Sequence, residues 1–136
     1  MNLLIHFTFN LLLVEINVIA SCEDTFDEST KEISYPPINS LYVNGHNCSW
    51  SISAPIDRII DLTFIKLNID ASNNCEQSSL AIFDGSNSNS TSLEEKICGS
   101  FVIQNLESTG NEIYLSFTTN GIDKTNQFTI KYGVSG

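Results

Sequence analysis

The chain has 136 residues, with 6 Lys+Arg against 16 Asp+Glu and a formal net charge of −10. One domain fits that length and two ordinary ones do not. The acidity argues against nucleic acid, against heparin-like polyanions and against docking on anionic membranes, all of which call for a basic face.

Residues 3–20 read LLIHFTFNLLLVEINVIA, an apolar run interrupted by Asn10, Glu15 and Asn17. Val18 and Ala20 supply the small residues that a cleavage site after Ala20 requires, so residues 1–20 are predicted to be a secretory signal peptide. No Lys or Arg precedes the run. A membrane anchor is disfavoured, because Glu15 is costly in a bilayer and the clean apolar core is short. Ile19-Ala20-Ser21-Cys22 also resembles a bacterial lipoprotein site, which would lipidate Cys22 but wants a basic start. The mature domain is then 21–136, secreted and extracellular, without membrane insertion once the leader is gone. In that oxidising setting Cys22, Cys48, Cys75 and Cys98 read as two disulfides, with three connectivities open. Zinc is disfavoured, since no CxxC pair exists and the mature chain holds only His46.

Residues 21–31 are polar and acidic and read as an arm beginning at Cys22. Tyr35-Pro36-Pro37 is extended or turning and does not suit an interior strand. Asn44-Gly45 is a turn signal. Cys48, Trp50 and Ile52 alternate with Ser49, Ser51 and Ser53, which predicts a half-buried strand closed by Ala54-Pro55. In 58–69, Ile60, Leu62 and Phe64 share a phase, while Leu67 and Ile69 take the opposite one. That slip predicts a bulge or bend near Ile65-Lys66. Leu80 and Ile82 form a short strand ended by Asp84-Gly85. Residues 86–92, SNSNSTS, have nothing to bury and read as a polar loop. Residues 95–98 lead into a turn at Gly99. Ile113, Leu115 and Phe117 alternate up to Asn120-Gly121, and Phe128, Ile130 and Tyr132 form the last strand. Short alternating strands separated by turns predict an all-β antiparallel sandwich, with no helix. Trp50, Phe64, Phe117, Phe128 and Tyr132 are in phase with the core aliphatics. Tyr35, Tyr42 and Phe101 have no clear assignment. Phe83 and Tyr114 fall on the opposite phase from their apolar neighbours, outward, and are the candidate partner surface.

From Cys22 to Tyr132 these pieces together resemble a CUB domain. The motifs are Ile33-Ser34-Tyr35-Pro36, Cys48-Ser49-Trp50-Ser51-Ile52-Ser53-Ala54-Pro55, Leu62-Thr63-Phe64 with Leu67-Asn68-Ile69-Asp70, and Leu80-Ala81-Ile82-Phe83-Asp84-Gly85. Cys98-Gly99, Leu115-Ser116-Phe117 and Phe128-Thr129-Ile130-Lys131-Tyr132 complete the set. The resemblance implies a jelly-roll-type β-sandwich and the pairing Cys22–Cys48 and Cys75–Cys98. It also implies a calcium site in many members, which clamps a basic residue of a partner. The three acidic positions of that site fall here on Asp70, Ser78 and Asn120. One carboxylate, one hydroxyl and one amide make a poor calcium set, so no metal or other cofactor is expected.

Catalysis has little to stand on. His46 has no recognisable Ser-His-Asp or Cys-His setting. The adjacent acids Glu94-Glu95 and Glu23-Asp24 offer paired carboxylates to a small secreted hydrolase, but neither lies in a pocket pattern and a solvated charge run explains them better. Two glycosylation sequons occur, at Asn89 and at Asn47. Asn89 is favoured because it ends in Thr within a polar loop, whereas Asn47 precedes a disulfide cysteine. The sequence therefore predicts a non-catalytic binding module for an extracellular protein or glycan. A calcium-dependent clamp is the alternative.

Overall fold

The computed structural model describes residues 32–36, 47–100, 103–119 and 125–136, together with the backbone of three strands at 4–7, 14–17 and 24–26. Expectations that fall on Cys22, Glu23, Tyr42, Asn44-Gly45, His46, Phe101 and Asn120-Gly121 lie outside the described residues. Strands β1 (Leu4–Phe7) and β2 (Val14–Asn17), within the expected leader, pair antiparallel as a two-stranded sheet of their own.

The rest is a two-layer β structure. Its strands are β3 (Asp24–Phe26), β4 (Glu32–Tyr35), β5 (Asn47–Ser53), β6 (Ile59–Asn68), β7 (Ser78–Asp84), β8 (Thr91–Ile97), β9 (Leu106–Glu107), β10 (Glu112–Thr119) and β11 (Gln127–Ser135). One sheet has the order β3-β5-β10-β7-β8 and the other β4-β11-β6-β9. Every pairing is antiparallel except β3 with β5, which is parallel. A single 3₁₀ turn at Asn73–Cys75 is the one helical element among the described residues.

The alternating stretches give the inward faces. Trp50, Ile52, Leu80, Ile82, Ile113, Leu115 and Phe117 of one sheet meet Ile33, Ile60, Leu62, Phe128 and Ile130 of the other in a single apolar core. Phe117 and Phe128 lie edge to face, with ring centroids 5.3 Å apart, and Trp50 meets Phe128 at 83°. Such offsets suit the ring quadrupoles better than face-to-face stacking.

The phase slip in β6 has a structural cause. Thr129 pairs with Lys66 and Ile130 with Phe64, so Ile65 is the extra, unpaired residue of a bulge. The insertion lets Leu62 and Leu67, of opposite sequence parity, both face inward.

Four details differ from the sequence reading. A short strand, β3, lies where a polar arm was expected. Strand β8 occupies Thr91–Ile97, a stretch read as polar loop at its start and as the approach to a turn at its end. It is an edge strand with two register irregularities, so its pattern never alternates cleanly. Tyr35 is a core residue, 2% exposed, with its ring 4.5 Å from Phe117 and 5.6 Å from Phe128. It ends β4, an edge strand, so the following proline removes no interior ladder bond. Phe64, assigned to the core, is only partly buried against it.

Candidate functional site

Two regions carry the candidate chemistry. The first is the end of the sandwich where β6 finishes and β7 starts. Ile69 exchanges backbone hydrogen bonds with Gly99, at 2.9 and 2.6 Å, which draws the end of β6 against the Cys98-Gly99 turn. Cys98 is in turn bridged to Cys75. Asp70 follows, half-buried, and its backbone N–H donates to Asn126 Oδ1 at 2.7 Å. Ser78 and Thr119 face each other across β7 and β10 on the inward phase, where the apolar rows of both strands run out. Buried polar groups need partners, and these have them. Ser78 Oγ donates to Thr119 Oγ1 at 2.8 Å, and Asn126 Nδ2 donates to Ser78 Oγ at 3.2 Å.

Of the three calcium positions implied by resemblance, the structure brings Asp70 and Ser78 to this end, and Asn120 lies outside the described residues. Ser78 is 1% exposed and its oxygen is committed to both neighbours. Calcium takes six to eight oxygen ligands and favours carboxylates. No three His, Cys, Asp or Glu side chains come together among the described residues. The described donor set does not fit the ion. Asn126 and Thr119 escaped the sequence reading, because a buried Asn and a buried Thr look like ordinary loop and strand-end residues when their partners are distant in sequence.

The second region is the outer face of the five-stranded sheet. Tyr114 on β10 is paired with Phe83 on β7 and with Ser51 on β5. The two rings lie side by side, with centroids 6.1 Å apart and planes at 44°. Both are half-buried, so each keeps an accessible edge. Around them the outward positions are small and hydroxyl-bearing: Ser49 and Ser53 on β5, Ser116 and Thr118 on β10. Ser53 Oγ donates to Glu112 Oε2 at 3.3 Å. The aromatic pair thus stands above a low floor of small side chains, a step that offers apolar contact beside hydrogen-bonding groups.

The remaining candidates are dispersed. Glu94 and Glu95 are consecutive on β8, where Glu94 pairs with Ile82 of β7, the register is irregular on either side of it, and Glu95 is the more exposed of the two. Asn89 is exposed at the tip between β7 and β8, its N–H donating to Asn87 Oδ1 at 2.9 Å. Asn47 is exposed at the start of β5, directly before a Cys48 that is buried and disulfide-bonded.

Comparison with known proteins agrees with this architecture. The CUB domain family model matches residues 22–132. Exoskeleton protein RP43 of Riftia pachyptila is 29% identical over 128 residues, covering 94% of this chain and 30% of that protein. Procollagen C-endopeptidase enhancer 1 of Homo sapiens is 33% identical over 101 residues, covering 74% of this chain and 21% of that protein. The chain thus spans less than a third of the length of these relatives. Among solved structures, the MASP-1 CUB2 domain bound to Ca2+ superposes with a TM-score of 0.67 at 17% identity, covering 81% of this chain and 96% of that one. A match of the family model over most of the chain, joined to the same fold, shows that this chain belongs to the CUB domain family.

Proposed function

We propose that this CUB domain is a secreted, non-catalytic binding module that engages an extracellular protein or glycan through the sheet face around Tyr114 and Phe83. Residues 1–20 would act as its cleaved leader, and the family match beginning at residue 22 supports that boundary. CUB domains are in general extracellular protein-binding modules, and a rigid sandwich presenting surface groups requires no catalytic centre.

The single observation that carries the choice of surface is the Phe83–Tyr114 pair. Two large rings lie side by side where alternation points them away from the core. Aromatic anchors dominate contact energies when a partner covers them. The acidic net charge, −10 for the full chain and one unit less negative once Glu15 leaves with the leader, favours neutral or cationic partners over sulfated ones. A calcium-mediated clamp on a basic residue finds less support, because Ser78 is buried and hydrogen-bonded inward at one of its positions.

The experiment is capture from extracellular fluid with the mature chain, in calcium and in chelator. Wild type should retain a specific protein or glycan in both buffers, and Tyr114→Ala with Phe83→Ala should lose it. Capture that survives the double substitution would move the site elsewhere. No specific capture in either buffer would end the binding-module reading.

A further inference from the structure

The positions that resemble a calcium set lie at strand ends belonging to both sheets, so a bound ion there would tie the two layers together. We propose that Asn126, Ser78 and Thr119 do this cross-linking instead, as a metal-free pin, and that the stability of the domain is indifferent to calcium.

The direction of every hydrogen bond in the pin follows from chemistry. The backbone N–H of Asp70 can only donate, so the Asn126 atom facing it at 2.7 Å is the carbonyl oxygen. The amide nitrogen is left for Ser78, 3.2 Å away, and it too can only donate. Ser78 Oγ therefore accepts from Asn126 and passes its own hydrogen to Thr119 Oγ1 at 2.8 Å. The three side chains are 1%, 1% and 2% exposed for Asn126, Ser78 and Thr119, so water competes little for these bonds.

The topology gives the pin its reach. Asp70 follows β6 and Asn126 precedes β11, both strands of the four-stranded sheet. Ser78 opens β7 and Thr119 closes β10, both strands of the five-stranded sheet. The chain of bonds crosses from one layer to the other. It also ties the Ser78 oxygen to two protein partners at one of the positions where a metal at this end would bind. Asn126 acts as a positioning residue, holding the backbone of Asp70 in place.

The test is thermal unfolding of the full chain in millimolar calcium and in EDTA, with amide hydrogen exchange as a second measurement. The wild-type Tm should be the same in both buffers. Asn126→Ala should lower Tm by about 5 °C or more in both. Thr119→Val keeps the shape and removes the hydroxyl, and Ser78→Ala removes the donor. Because these two changes break the same bond, their combined Tm loss should fall short of the sum of the single losses. The wild-type Asp70 amide should exchange slowly, equally with and without EDTA, which decides the matter even if Asn126→Ala does not fold. A wild-type Tm that rises with calcium, an Asn126→Ala variant as stable as wild type, additive Ser78 and Thr119 losses, or a fast-exchanging Asp70 amide would each overturn the proposal.

Discussion

Asp84 accepts two hydrogen bonds from Thr109, one from its backbone N–H at 3.0 Å and one from its hydroxyl at 2.8 Å. The Asp-Gly turn after β7 is thereby fastened to the loop that leads into β10. The same loop is held from its other side, where Ser108 Oγ accepts from the Ile60 N–H at 2.8 Å and Asn111 Nδ2 donates to the Ala54 carbonyl at 2.9 Å. Asp84→Ala is expected to cost about 1 kcal/mol, the usual net value of such bonds near the surface. Asp84→Asn keeps an acceptor for Thr109 and should cost less. Urea denaturation of both variants orders them, and equal losses would show that the bond kept by the asparagine oxygen contributes nothing.

Phe117 is fully buried and touches both Tyr35 and Phe128. Phe117→Ala should destabilise the domain by about 3–5 kcal/mol, through lost transfer energy and the cavity left behind. Phe117→Leu should cost clearly less. Denaturant midpoints that fail to separate the two would mean that the surrounding rings collapse into the gap.

Cys75 and Cys98 are bridged across a sequence separation of 23. Closing a loop of that size contributes about 3 kcal/mol in the chain-entropy picture. Replacing both cysteines by Ala should lower stability by that order. A change below about 1 kcal/mol would place the constraint elsewhere, in the Ile69–Gly99 backbone pair that already joins the same segments.

Asn89 should carry an N-linked glycan when the chain passes through a eukaryotic secretory pathway, and Asn47 should not. The first is exposed at a hairpin tip, and the second is followed by a buried, bridged Cys48. Peptide mapping after enzymatic deglycosylation reports each site separately. Occupancy at Asn47 in the wild type, or an Asn89→Gln variant that keeps the same glycan mass as wild type, would contradict the expectation.

The strands that were legible in the sequence are those with one face wholly buried and the other wholly polar. Cys48/Trp50/Ile52 against three serines is the clearest, and Ile113/Leu115/Phe117 follows closely, with Tyr114 as the aromatic exception on its outer face. Even the irregularity in β6 was legible, because a bulge must reverse the parity of its apolar residues and Leu67 does so. Strand β8 was not, since an edge strand broken by two register shifts has no single phase to read. Tyr35 was ambiguous because Pro36 hides the end of β4, and its burial depends on Phe117 and Phe128, far along the chain. The polar pin was invisible for a similar reason. Asn126 meets Asp70 and Ser78, 56 and 48 residues away, and only the closed sandwich brings them together.

Strand β11 lies between β4 and β6, and those two strands meet only through it. Gln127–Ser135 is also the last strand in chain order. During synthesis, β4 and β6 would therefore leave the ribosome with unsatisfied edges, and the four-stranded layer could not assemble until β11 had emerged. Until then the inward faces of β4 and β6 lack the strand that joins them, an incomplete state of the kind that exposes apolar surface and unpaired edges. Any change that removes Gln127–Ser135 therefore takes away the centre of a sheet rather than its margin.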